Sequence, residues 1–252
     1  MNKGQKQAFV RKYAHRTDEF TEKEWAIVQK EYNIKPNDIM NNNNSKYAFK
    51  DDNNKEKSFV YTISNGNAFD CPALKGHRCN VPCYGLKGSF TWNDTKVNKA
   101  FQGLILNLAP VKFLFYVVKH FATNSRMNPL NRLRFLRINE VSDLTESLFN
   151  KILVLCDLLY SDVDTRHIRV FGYSKMDLDW NKVLEHPNLT INASQVINPL
   201  YLGGNVFIAV EKEFYDSIVE TDIVRKCDCE TNCHKCELCY SNNGLIIFCL
   251  IH

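Results

Sequence analysis

Eight of the chain's ten cysteines lie in two short stretches, and this clustering constrains the fold more than any other feature of the sequence. The first stretch, Asp70-Cys71-Pro72 through Cys83-Tyr84-Gly85, holds Cys71, His77, Cys79 and Cys83 within thirteen residues. The second holds Cys227, Cys229, Cys233, Cys236 and Cys239. The opening residues Met1-Asn2-Lys3-Gly4-Gln5-Lys6 lead into polar sequence and not into the apolar core of a signal peptide, so a cytoplasmic protein is expected. Thiols stay reduced in that compartment, and clustered cysteines there read as metal ligands before disulfides.

The spacing narrows the choice of metal. Seven residues separate Cys71 from Cys79, and three separate Cys79 from Cys83. Thiolates are soft donors that suit zinc or iron–sulfur clusters. With His77, the three cysteines complete a tetrahedral zinc set. Without it, they leave one iron of a four-iron cluster open, the position at which radical enzymes chelate S-adenosylmethionine. The second stretch offers five thiolates and His234, more than one zinc or one cluster takes. One cysteine there is spare, either Cys227 or Cys229, and the expected ligands are Cys229, Cys233, Cys236 and Cys239. Cys156 falls on an apolar helical face and Cys249 in an apolar strand, so both read as core residues.

Hydrophobic periodicity supplies the frame around these loops. Thr21-Glu22-Lys23-Glu24 forms a capping box ahead of a helix with Trp25, Val28 and Tyr32 on one face. Residues 36–57, with Asn41 to Asn44 and Asp51 to Lys57, are too polar to order themselves and read as a linker. The expected division is an N-terminal extension over 1–57 and a metal-binding core over 58–252. Within the core, strand-like runs at 59–63, 134–138, 167–171, 189–192, 205–210 and 245–250 alternate with helical segments. The helical stripe Val97, Phe101, Leu104, Ile105, Leu108 stops at Pro110, and residues 144–159 form a second apolar helix. Residues 111–121 are apolar on every side, so periodicity leaves them open between helix and strand. Such alternation predicts an α/β fold, either a partial (β/α) barrel or an open, mainly parallel sheet, with right-handed crossovers and two cysteine-rich loops.

Parallel α/β folds gather their chemistry at the C-terminal ends of the strands. At those ends the sequence places Asn139, Glu140, Ser142 and Asp143, then Tyr173 and Lys175, then Asn192. Glu140, Lys175 and Tyr173 are the candidate catalytic residues, and Asn139, Ser142 and Asn192 the candidate cofactor-binding ones. Asp143 and Glu146 stand three apart at the start of an apolar helix and read as its N-cap and capping partner. The net charge of +4 permits contact with nucleic acid without arguing for it. The longest apolar run, Phe113 to Val118, is far short of the roughly 20 residues that span a bilayer.

Four of these motifs, in order, resemble the phage "gene product 88" family. They are Cys71-Pro72 with Cys79-x-x-x-Cys83-Tyr84, Arg137-Ile138-Asn139-Glu140-Val141-Ser142-Asp143, Val170-Phe171-Gly172-Tyr173-Ser174-Lys175, and Cys233-x-x-Cys236-x-x-Cys239-Tyr240. The resemblance covers about residues 58–250 and implies a protein of a phage or mobile element, acting in the host cytoplasm. That family's cysteine layout invites comparison with radical S-adenosylmethionine barrels. The usual radical motif is Cys-x-x-x-Cys-x-x-Cys, but here Leu86 stands in the third position and Cys71 would supply the third ligand from upstream. The expectation is an iron–sulfur protein, radical S-adenosylmethionine-like in chemistry, on an unassigned substrate or macromolecule. Its alternative is a zinc-stabilised accessory protein without catalysis, binding nucleic acid or a host protein.

Overall fold

A computed structural model describes residues 1–42, 49–50, 53, 56–66, 71, 92–138, 142–194, 204–227, 238–240 and 242–250. Its centre is a seven-stranded sheet in which every neighbouring pair is parallel. The strands are β3 (Val60–Thr62), β4 (Phe135–Arg137), β5 (Arg169–Ser174), β6 (Leu189–Ser194), β7 (Val206–Val210), β8 (Val224–Cys227) and β9 (Ile246–Leu250). A separate two-stranded ribbon pairs β1 (Phe49–Lys50) with β2 (Glu56–Lys57). The spatial order is β3-β4-β5-β6-β7-β9-β8, so the chain steps across the sheet in sequence and reverses once, at its end. The strand-and-helix alternation read from the sequence therefore gives the expected mainly parallel α/β fold.

The helices are α1 (Lys3–Tyr13), α2 (Glu22–Tyr32), α3 (Pro36–Ile39), α4 (Asn93–Leu108), α5 (Val111–Thr123), α6 (Glu146–Ser161), α7 (Trp180–Glu185) and α8 (Lys212–Ser217). α2 begins at the expected capping box, with Thr21 and Glu24 exchanging their hydrogen bonds. α4 stops where Pro110 forces Ala109 into an extended conformation. The ambiguous stretch after Pro110 is helical. Its buried residues Leu114, Val117, Val118 and Phe121 keep helical spacing, and thirteen residues are too many for an ordinary strand.

In-register neighbours of a parallel sheet share a face. On one face Tyr61, Leu136, Val170, Leu189 and Ile191 pack with Phe101, Ile105, Leu148, Ile152 and Val183 of the crossover helices. On the other, Val60, Phe135, Phe171, Phe207 and Ile247 gather with Cys227, Cys239, Tyr240 and Cys249. One face is thus covered by helices, and the other by the end of the second cysteine stretch.

The N-terminal segment shares the first of these cores. Phe9 meets Phe101 at 5.1 Å between ring centroids, and Trp25 meets Phe113 at 4.8 Å. The linker reading of 36–57 gives way at its start. Pro36–Ile39 is a short helix, Ile39 and Met40 are buried, and Gln102 donates its Nε2–H to the Ile39 carbonyl at 2.9 Å. Polar contacts add to this anchor: the Met1 amino group pairs with Asp38, and Asn41 bridges to Thr62 through the backbone.

One contact of α4 fixes the sheet edge. A Cβ on Gly103 would lie 2.5 Å from the Gly66 backbone nitrogen and 2.7 Å from the Asn65 carbonyl carbon. Gly66 itself has φ of 134°, a conformation that glycine adopts without strain. Gly103→Ala should therefore cost about 2–3 kcal/mol in denaturant unfolding, because backbone and not a pliable side chain must yield. Gly4→Ala, whose new Cβ meets nothing nearer than 3.5 Å, should instead stabilise α1 by about 0.5 kcal/mol.

Candidate functional site

The C-terminal ends of β3, β4 and β5 are tied together by one buried residue, Asp143. Asp143 follows β4 and accepts from Ser174 Oγ at 2.6 Å, from the Lys175 backbone N–H at 2.9 Å and from the Leu144 N–H at 2.7 Å. Its own carbonyl accepts from Asn65 Nδ2, after β3. Asn65 Oδ1 in turn accepts from Asn107 Nδ2 of α4 at 2.9 Å. Beside it Ser142 has a left-handed φ of 70°, a conformation a side chain adopts only at some cost and one that often marks functional turns.

This corrects the capping role expected of Asp143. Thr145 is the N-cap of α6, its Oγ1 accepting from the Leu148 N–H at 3.2 Å. Both residues could cap; Thr145 stands next to the first helical turn, which frees Asp143 to bridge two strands. The signal for this was present, since an acid placed just after a strand had a competent cap two residues beyond it.

Burial pushes the Asp143 carboxyl above its ordinary pKa, while the Ser174, Lys175 and Leu144 hydrogen bonds and the Lys175 charge pull it back. A carboxyl whose pKa is raised by folding stabilises the fold most below its unfolded value, near 3.9, and loses that contribution as pH rises through the folded value. The stability of the wild-type protein relative to Asp143→Asn should accordingly fall as pH is raised from about 4 through that window. Parallel denaturation series at stepped pH check this, and a difference that grows with pH would contradict it.

On the face away from the helices, Tyr173 and Asn192 are register partners on β5 and β6. The Tyr173 ring stands edge-on to Phe207 at 4.9 Å, with the Arg137 guanidinium 5.3 Å from its centroid. Asn192 is 0% exposed. Its Nδ2 donates to the Gly172 carbonyl at 3.0 Å and to the Cys239 carbonyl at 3.2 Å, and its Oδ1 accepts from Asn205 Nδ2 at 3.1 Å. Asn205 Nδ2 also donates to the Leu238 carbonyl at 3.1 Å. Two buried asparagines thus hold the end of the second cysteine stretch on the sheet. Tyr240, next along, packs on Phe135 and Phe171 at 4.3 and 4.6 Å.

The residues expected to form a site fall into separate groups. Ser142 and Lys175 flank Asp143, Tyr173 and Asn192 lie on the sheet face away from the helices, and the Cys239 carbonyl accepts from Asn192. Lys175 is partly buried, and its backbone N–H anchors it to Asp143. Cys71 is buried beyond the end of β3. Asn139, Glu140, Cys79, Cys83, Cys229, Cys233 and Cys236 lie outside the described residues. Among the described residues no three His, Cys, Asp or Glu side chains group closely enough to hold a metal ion. Among them also, no helix is long and apolar enough to cross a membrane. Sequence reading gave Asp143 a cap's role and passed over Asn205, and it missed β8, whose Val224-Arg225-Lys226-Cys227 is too short and charged to read as a strand.

No protein-family model, curated protein or solved structure matches the chain.

Proposed function

We propose that the protein is a thiolate metalloprotein of a phage or mobile element, of the "gene product 88" kind, built as a partial (β/α) barrel. Cys71, Cys79 and Cys83 are the proposed ligands of a four-iron cluster with one open iron. Cys229, Cys233, Cys236 and Cys239 are those of a second cluster or a zinc. One observation carries this reading. The chain enters both cysteine stretches from C-terminal strand ends, the first after β3 and the second at Cys227, the last residue of β8. That is the edge at which parallel sheets hold their ligands. The stepwise order from β3 to β7 supports the barrel, because it is the strand order of a (β/α) barrel.

When bound, such a cluster supplies an electron and an open coordination site for S-adenosylmethionine. The chain's own residues would hold that ligand and move its protons. Ser142 and Asn139 are the proposed polar contacts, and Glu140, Tyr173 and Lys175 are the proposed acid, base and anion-binding groups. Asn192 contributes by fixing Cys239, because both donors of its amide are already used.

One feature favours the alternative, a zinc-stabilised accessory protein that binds nucleic acid or a host protein. Tyr240 packs on Phe135 and Phe171, on the face where a barrel enzyme would seat its substrate. Anaerobic purification separates the readings. A brown protein with stoichiometric iron and sulfide is expected. A colourless protein with stoichiometric zinc would overturn the cluster and leave the accessory role, and a metal-free protein would overturn both.

A further inference from the structure

Two thiols set aside by the sequence reading meet on the sheet face away from the helices. Cys227 of β8 and Cys249 of β9 are direct register partners, so their side chains share that face. They are 2% and 8% exposed and belong to the same apolar cluster as Cys239. Cys227 is also the residue at which the chain leaves the sheet for the stretch carrying Cys229, Cys233 and Cys236. We propose that Cys227 and Cys249 form a two-thiolate chelate for a thiophilic divalent ion of the zinc class, anchored on the sheet.

The distances favour this. Neighbouring strands lie about 4.8 Å apart. Two sulfurs on one tetrahedral zinc, each about 2.3 Å from it, stand about 3.8 Å apart. The Cys249 thiol donates to the Leu250 carbonyl at 3.3 Å, and it would exchange that bond for the metal. The apolar cluster that holds the pair also holds Ile247, Leu245 and Phe207, a setting in which lone thiolates would be costly. A metal ion removes that cost, because a coordinating thiol gives up its proton to the solvent when it binds. The pair also sits on strands and not on a loop, so it is ordered before metal arrives and lowers the entropy lost on binding. Cys156 shows the contrast. It is buried in α6, with its thiol pushed well above its ordinary pKa by burial, and it has no cysteine beside it in register.

This rests on the reading of the second cysteine stretch as a thiolate metal site, and it puts Cys227 and Cys249, held by the sheet, in place of two of the four ligands proposed there. The test uses the full-length protein loaded with cadmium as the probe. Proton–cadmium correlation spectra assign ligands directly, and cross-peaks to the β-protons of Cys227 and Cys249 are expected. With four thiolates on the ion, Cys227→Ser and Cys249→Ser should each remove about a quarter of the thiolate-to-cadmium absorbance. Each should also weaken cadmium binding by more than about 100-fold, since loss of a mere outer-shell partner already costs 10–100-fold. Cys156→Ser should change neither. Cross-peaks confined to other cysteines would overturn this inference while leaving the metal reading intact. A Cys227–Cys249 disulfide in the loaded protein would do the same. Absence of any thiolate–cadmium absorbance would overturn the metal reading itself. The spectra are recorded on the wild-type chain, so a variant that fails to fold does not rescue the proposal.

Discussion

Removing metal with a strong chelator should lower the thermal midpoint of the protein by more than about 10 °C. Structural thiolate sites in small domains contribute roughly 10–16 kcal/mol of apparent folding free energy. If only about 5 kcal/mol of that is transmitted to the sheet, a shift of about 2–4 °C per kcal/mol gives 10–20 °C. The path of transmission is visible. Cys239 is held by Asn192, Leu238 by Asn205, and Tyr240 packs on Phe135 and Phe171. Loss of metal frees one end of this segment, and the apolar cluster around Ile247 and Phe207 is then exposed from that side. The larger core between the sheet and α4 to α6 has no cysteine ligand in it and should survive. Near-ultraviolet circular dichroism should therefore change before far-ultraviolet, with a first transition at low temperature. A chelated protein that melts as the untreated one does would contradict this account.

Asn192→Ala should be nearly as damaging, although the residue touches no metal. It leaves the Gly172 and Cys239 carbonyls without this donor and deprives Asn205 of one acceptor, all in a fully buried setting. Three disrupted bonds of this kind are expected to cost about 3–5 kcal/mol together. Because one of them anchors the cysteine stretch, metal affinity should fall with stability. Asn242→Ala is the control. That side chain donates once, to the Leu189 carbonyl at 3.0 Å, and its loss should cost about 1 kcal/mol with metal affinity unchanged. Denaturant titration with metal analysis of the two variants checks this. Equal losses from both would mean that Asn192 is an ordinary buried amide and not a bracket for the loop.

The parts of the fold that were legible are those where periodicity and burial agree. Val60–Thr62, Arg169–Ser174, Leu189–Ser194 and Ile246–Leu250 are apolar runs bounded by polar turns, and each is a strand. The α1 helix went unread because its apolar residues are few. Phe9 is the one fully inserted side chain, and it is buried by aromatic partners from distant segments. Residues 111–121 were undecidable because both faces are apolar; the helix that forms buries Leu114, Val117, Val118 and Phe121. Cys249 read as core and is buried in the apolar cluster, but strand periodicity carries no information about which strand lies beside it. Its partner Cys227 is adjacent only because the chain steps past the β9 position and then returns to it. Asp143 was misread for a related reason. Its partners Ser174 and Lys175 come from the next strand, and local sequence offered a helix cap as a sufficient explanation.

The most direct test of the central claim, that clustered thiolates bind metal at the C-terminal edge of this sheet, is X-ray absorption on anaerobically purified protein at the iron and zinc edges. The account predicts bound metal at one or both edges, with a first shell dominated by sulfur at about 2.3 Å. A first shell of nitrogen or oxygen, or protein with neither metal, would contradict it.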